Sequence, residues 1–247
     1  MPIDVVINGA VATLTINRPD KRNALDLACF ANLSDVIERA ATGDLRAIIV
    51  TAAKSPAFCA GADIGDLHGI SAETATERAD YRRGVFQKFS ELPIPSVAVI
   101  DGYALGGGVE LAMSCTFRLA TLRAHFAFPE IDLGYLPGAG GTQRLPRLIG
   151  QACALDLMLT GRAVGPEEAL RIGLIDRIIA DPEEDTRRFV ESLASKSSDA
   201  VRAILAAVRC SELPLDEGLA EEGRFLAMLN QSPGAKMRIS GFLKKSR

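Results

Sequence analysis

Two carboxylates sit where a charge is expensive. Glu110 follows the triple glycine Gly106-Gly107-Gly108 by two residues, in a mostly apolar stretch from Gly102 to Phe117 with no other charge. Glu130 follows Phe126-Ala127-Phe128-Pro129. A carboxylate in such surroundings is costly unless it is paired or does chemistry. The two lie 20 positions apart (130 − 110), so spacing alone does not make them neighbours. If the fold joins them, they titrate as a coupled pair, one protonated and one ionised. An acid and a base in one pocket suit the addition of water across an activated double bond.

Three glycine-rich segments invite a nucleotide reading, and the residues refuse it. A dinucleotide fingerprint counted from Gly106 puts Leu111 at the third glycine position, and counted from Gly138 it puts Gln143 there. A phosphate loop would need Gly-Lys-Ser/Thr, which is absent. What the glycines still offer is exposed backbone: close approach to main-chain N–H groups, helped by a helix N-terminus, is what an oxyanion hole uses.

The five cysteines, Cys29, Cys59, Cys115, Cys153 and Cys210, form no Cys-x-x-Cys pair, and His68 and His125 are the only histidines. Neither a disulfide framework nor a metal site is indicated. Cys59 borders the first small-residue loop, but without a histidine in motif context to activate it, it reads as core filler. Both histidines read as ordinary. Asp63 is suited to capping the turn that follows it, and Lys21 and Arg22 read equally well as solvated loop charges.

The elements that must position these groups can be traced along the chain. Alternation around Asn8-Gly9 predicts a β-hairpin. Leu25, Phe30, Leu33, Ile37 and Ala40 recur at helical spacing before Gly43. A strand at 47–51 leads into the loop Phe58-Cys59-Ala60-Gly61-Ala62-Asp63-Ile64, and a charged surface helix is expected over 72–91. The unit repeats: strand 95–100, glycine loop 102–108, helix 109–113; then strands at 117–121 and 125–128, and a third loop 137–142 opening a helix. Strand, loop and helix in series describe an α/β layer fold with its loops along one rim. Beyond residue 151 helical patterns dominate, at 151–160, 167–172, 182–194, 200–210 and 220–229, with one strand signal at 176–180. A soft boundary is placed at residue 181, giving an α/β core over 1–181 and a helical region over 182–247.

The whole has 247 residues, 48% of them apolar, and 28 basic against 31 acidic side chains give a net charge of −3. A chain of this length buries roughly 70–75% of its unfolded surface and needs no staple. The mild negative balance offers no general attraction to nucleic acid or anionic lipid. The N-terminus lacks the pattern of a secretion signal, and no uncharged run approaches the ~20 residues of a membrane helix. A reduced, cytoplasmic protein is expected.

At this point a resemblance is plain. Residues 58–64, Gly102-Tyr103-Ala104-Leu105-Gly106-Gly107-Gly108-Val109-Glu110-Leu111-Ala112, Phe128-Pro129-Glu130-Ile131-Asp132-Leu133-Gly134 and Pro137-Gly138-Ala139-Gly140-Gly141-Thr142-Gln143-Arg144-Leu145 resemble the enoyl-CoA hydratase (crotonase) family. Arg18-Pro19, Asn23-Ala24-Leu25, Thr160-Gly161-Arg162 and Gly173-Leu174-Ile175 extend the similarity over nearly the whole chain. The resemblance implies a superhelix of ββα units followed by a helical C-terminal region that packs into trimers, often dimerised to hexamers. It implies an acyl-CoA thioester substrate, with coenzyme A as part of that substrate and no separate cofactor, metal, nucleic acid or membrane partner. By the same resemblance Ala60 and Gly107 hold the thioester oxygen, Glu110 activates or orients water, and Glu130 moves the proton at the α-carbon. Gly138 is a backbone donor near the water. Lys21, Arg22, Ala24, Ala62, Asp63 and Ile64 line the CoA nucleotide, and Phe242 and Lys245 reach a neighbouring subunit's CoA.

Two departures from the family pattern stand out. The segment 231–241 lacks an acidic, glycine-rich lead-in to the final Phe-Leu, which bears on the roles of Phe242 and Lys245. Tyr135-Leu136 and the polar, charged stretch 66–80 bear on the size of the acyl pocket. A 2-enoyl-CoA hydratase is the leading expectation. A double-bond isomerase, which can work with one carboxylate, another acyl-CoA lyase of the family, and a non-catalytic acyl-CoA binding subunit are the alternatives.

Overall fold

The computed structural model describes residues 1–41, 43, 45–66 and 69–245. Strands β1 (Ile3–Asn8) and β2 (Val11–Ile16) form an antiparallel hairpin closed by Gly9-Ala10, where Gly9 takes a positive φ. A 3-10 turn at Pro19–Lys21 leads to α1 (Leu27–Ala41). Three similar passages follow: β3 (Ala47–Ala52), β4 (Ala57–Cys59) and α2 (Ala72–Ser90); β5 (Ser96–Ile100), β6 (Tyr103–Leu105) and α3 (Gly107–Ser114); β7 (Phe117–Ala120), β8 (His125–Ala127), a 3-10 turn at Pro129–Leu133 and α4 (Gly141–Ile149). The chain continues through α5 (Gln151–Thr160), α6 (Pro166–Arg171), β9 (Arg177–Ile178), α7 (Pro182–Ala194), α8 (Ser198–Arg209), α9 (Leu215–Gln231) and α10 (Pro233–Lys245).

Each passage gives its first strand to a six-stranded sheet, ordered β1-β2-β3-β5-β7-β9, and its second to a three-stranded sheet, β4-β6-β8. All pairings except the β1–β2 hairpin are parallel. This is the superhelix of ββα units. Parallel strands covered on both faces read as unbroken apolar runs, and all five residues of β5 are buried. The main core lies between the two sheets and the helices α1 to α5, around Leu14, Phe58, Phe86, Phe89, Phe126 and Phe128. On the outer side of the large sheet a smaller cluster joins Val97, Val99 and Leu119 to Val190, Phe189 and Leu193 of α7.

The structure differs from the sequence expectations in several places, among them helix α10, where no helix is expected. The stretches at β4 and β6 were expected as loops and instead begin as strands, too short for alternation to show. Helix α2 was expected on the surface, yet Arg82, Val85, Phe86 and Phe89 on it are buried. Helix α7, expected with the C-terminal region beyond residue 181, packs on the α/β core. Helices α8 to α10 bury little: α8 buries Ala203 and α9 buries no residue. They leave Ile204, Val208, Leu215, Leu226, Met237 and Phe242 exposed, a large apolar surface for a chain in water. Among the described residues no helix is long and apolar enough to cross a membrane.

Candidate active site

Three strand-to-helix junctions of the small sheet meet at one cavity of about 380 Å³. After β4, Leu25 pairs with Ala62 as a parallel bridge: the Leu25 N–H donates to the Gly61 carbonyl at 2.8 Å and the Asp63 N–H to the Leu25 carbonyl at 2.9 Å. That ladder leaves the Ala62 N–H out of the pairing. After β6, Gly106 adopts φ +47° and a turn from which α3 starts at Gly107. The two segments cross backbone to backbone. A Cβ on Gly107 would stand 3.2 Å from the Ala62 nitrogen, and one on Gly61 2.9 Å from the Leu105 carbonyl. Ala62 and Gly107 both line the cavity.

Ala60 corrects the expectation. Its N–H is already donated to the Arg22 carbonyl at 3.1 Å, and it is absent from the cavity wall. The amide presented beside Gly107 is that of Ala62, assigned from the sequence to the CoA side. The bond to Arg22 occupies the Ala60 N–H while the bridge to Leu25 leaves that of Ala62 out, and sequence spacing does not reveal it.

Glu110, in the first turn of α3, is 2% exposed. Its Oε1 accepts N–H groups from Ala139 at 2.8 Å and Gly141 at 2.6 Å, at the start of α4, whose dipole favours an anion there. Burial raises its carboxyl above the ordinary range, against the pull of those two N–H donors and of Arg144 and Arg82. Glu130, on the turn after β8, packs its carboxylate against Gly106, where any Cβ would collide with it. Its Oε2 is buried with no hydrogen-bond partner among the described residues. Burial first, and then the charge of Glu110, push Glu130 up to about 7. Both glutamates face the same cavity. The two carboxyls are thus unlike: Glu110 accepts two N–H groups that favour an anion, whereas the Glu130 Oε2 has no hydrogen-bond partner among the described residues.

This arrangement has a measurable consequence for stability. A carboxyl that titrates near 7 when folded but near 4.5 ordinarily binds its proton more tightly in the native state, so stability falls as pH rises between those values. Glu130→Gln removes that loss. Thermal unfolding of the variant and the parent should show the variant gaining roughly 2–3 kcal/mol more at pH 8 than at pH 5. An equal difference at both pH values would mean that Glu130 is not held protonated.

The other expected site residues divide. Ile64 and Gly138 line the cavity with Leu25, Phe30, Ala75, Ala79 and Arg82. The Gly138 carbonyl accepts from Arg83 at 3.3 Å. Asp63 faces away: it takes Arg18 Nη2 at 3.0 Å and the Gly65 N–H at 3.1 Å, and the guanidinium holds its carboxyl below the usual range. Asp63 therefore fixes the loop, as a turn cap would. Lys21 and Arg22 are exposed, while Ala24 is buried and its carbonyl accepts from Arg18. Phe242 lies on α10 away from the cavity lining, and Lys245 closes that helix with a side chain outside the described part. His68 also lies outside the described residues. Cys59 is fully buried, and desolvation pushes its thiol up to about 12, as core filler requires. His125 stacks on Tyr103.

Two residues escaped the sequence reading. Asn23, fully buried at φ +57°, accepts the Arg18 N–H and donates to the Ala53 and Ala57 carbonyls at 3.0 and 2.9 Å. It ties the 18–24 loop to the start of β4. Arg82 reaches the cavity from α2. Its signal was present in the spacing of Ala75, Ala79 and Arg82, which share one helical face, hidden among the other charges of that helix.

Crossed glycine loops presenting two amides, with two unlike carboxyls in one apolar cavity, define a carbonyl-activating acid–base site on a ββα superhelix. The comparisons with known proteins agree. The family model for enoyl-CoA hydratase/isomerase matches residues 6–247. A crotonyl-CoA hydratase of Syntrophomonas wolfei is 35% identical over 95% of this chain and 92% of its own. The enoyl-CoA isomerase/hydratase claC of Penicillium crustosum is 39% identical over 84% of this chain, which spans 25% of that longer protein. The solved enoyl-CoA hydratase of Bacillus anthracis superposes with a TM-score of 0.94 at 33% identity, covering 99% of this chain and 97% of that one. The chain belongs to the enoyl-CoA hydratase/isomerase family.

Proposed function

We propose that the protein is a 2-enoyl-CoA hydratase, adding water reversibly across the 2,3 double bond to give a 3-hydroxyacyl-CoA. The Ala62 and Gly107 amides hold the thioester oxygen. Ionised Glu110 takes a proton from water as its oxygen bonds to C3. The electron pair of the double bond moves onto the thioester as an enolate, and protonated Glu130 delivers its proton to C2. The glutamate pair carries one proton before and after, and the reverse reaction retraces the same steps. The observation that carries this reading is the unlike environment of the two carboxyls in one cavity, since an isomerase can work with one.

Exposed Lys21 and Arg22 serve the CoA end, and the chemistry requires no separate cofactor. The apolar residues left exposed on α8 to α10 support assembly as a homotrimer or a dimer of trimers, with Phe242 and Lys245 reaching a neighbouring subunit's CoA. The test follows loss of the conjugated thioester absorbance of a 2-enoyl-CoA, with identification of the 3-hydroxyacyl product. Rapid loss is expected. An inert 2-enoyl-CoA alongside conversion of a 3-enoyl-CoA would overturn the reading in favour of isomerisation.

A further inference from the structure

We infer that the cavity takes acyl groups that end in a carboxylate, and that Arg82 is the residue that binds that end. The inference rests on the acyl-CoA reading above and narrows its substrate class. Arg82 is 7% exposed, and among the described residues it is the sole cation of a cavity wall that is mostly apolar, with Leu25, Phe30, Ala75, Ala79, Leu133 and Leu136, apart from Tyr135 and the reacting groups. Among the described residues its guanidinium makes one hydrogen bond, from Nη2 to Asp66 Oδ2 at 3.2 Å, and lies 5.7 Å from the centre of the Phe30 ring. Its Nε is buried and donates to nothing described.

Asp66 offsets the charge but leaves most of the donor fork unused. A guanidinium placed in a hydrocarbon wall with an idle buried N–H is unfavourable unless a ligand completes it. A planar carboxylate does so, accepting from Nε and a terminal nitrogen together. A methyl-ended acyl chain would leave Nε unbonded and press hydrocarbon on the charge. The alanines at 79 and 75, about one and two turns before Arg82 on the same face, leave room in front of it. The competing role is electrostatic: Arg82 also acts on Glu110 through space, and a residue serving Glu110 alone would affect every substrate alike.

The experiment uses 2-enoyl-CoA esters ending in a carboxylate, each matched to the methyl-ended ester of equal length. The carboxylate-ended ester of best length should have a kcat/KM about tenfold or more above its match, the size of a charged hydrogen-bonded contact. In Arg82→Met that ratio should collapse to about one, mainly through KM, and Arg82→Lys should restore part of it. Calorimetric binding of the saturated carboxylate- and methyl-ended acyl-CoA esters to the parent protein requires neither turnover nor a folded variant. Tighter binding of the carboxylate-ended ester is expected. Equal or weaker binding, or an Arg82→Met variant that slows both esters by one factor, would overturn the inference. A carboxylate preference in binding with no hydration of either ester would instead overturn the hydratase reading and leave this one standing.

Discussion

Glu130→Gln is expected to lower kcat for 2-enoyl-CoA hydration by roughly 10²- to 10⁴-fold, the range for loss of a positioned acid or base, with acyl-CoA affinity close to that of the parent. Glu110→Gln should do the same. The amide oxygen of a glutamine at 110 can still accept the Ala139 and Gly141 N–H groups, so the junction with α4 is kept while the base is lost. A glutamine at 130 fits against Gly106 but has no proton to give at neutral pH. Because the pair holds one proton in both directions, hydration and dehydration must share the same pH limbs, and opposite limbs would violate the pH-independent equilibrium of a reaction that consumes no net proton. In the free enzyme kcat/KM for both directions should fall above about pH 7, where the pair loses the one proton it holds. A parallel drop in acyl-CoA binding in the Gln variants would assign the glutamates a structural role.

The second large effect is expected from a single methyl group. Gly108, on α3, lies so close to β4 that a Cβ there would collide with the Cys59 carbonyl and stand 2.8 Å from the Cys59 Cβ. Both partners are rigid parts of the crossing, so the strain in Gly108→Ala must be relieved by moving β4 away from α3. That movement separates the Ala62 and Gly107 amides. Overpacking of this kind costs about 1–3 kcal/mol in stability. Displacing oxyanion donors should lower kcat by roughly 10²-fold. Gly84→Ala, on α2 with nothing within 4 Å of the added carbon, is the control and should be neutral or slightly stabilising. Full activity in a folded Gly108→Ala protein would mean that the spacing of the two amides does not matter, and the proposed thioester site would have to be moved.

Much of this architecture was legible before any coordinates. The hairpin, α1, β3, β5 and the helices at 151–160 and 182–194 follow from periodicity, because each has a face or a run long enough to show it. Glu110 and Glu130 were legible because an isolated charge in an apolar run demands a reason. Their meeting was not, since it depends on how three short strands stack in the small sheet. Likewise the choice between Ala60 and Ala62 turns on one hydrogen bond to Arg22, which joins positions 38 residues apart (60 − 22) and leaves no trace in local pattern. Arg82 was concealed by the opposite problem: on a helix as charged as α2, one inward-facing arginine looks like its solvated neighbours.

The groups that react and one wall of the cavity beside them are carried by different stretches of polypeptide. The glutamates and amides are fixed by tight main-chain crossings, whereas Ala75, Ala79 and Arg82 project from one side of a helix whose positions 76, 77, 80 and 83 are exposed. New preferences can therefore arise by exchanging side chains on that helix without disturbing the chemistry, which gives this scaffold a modular route to diversification.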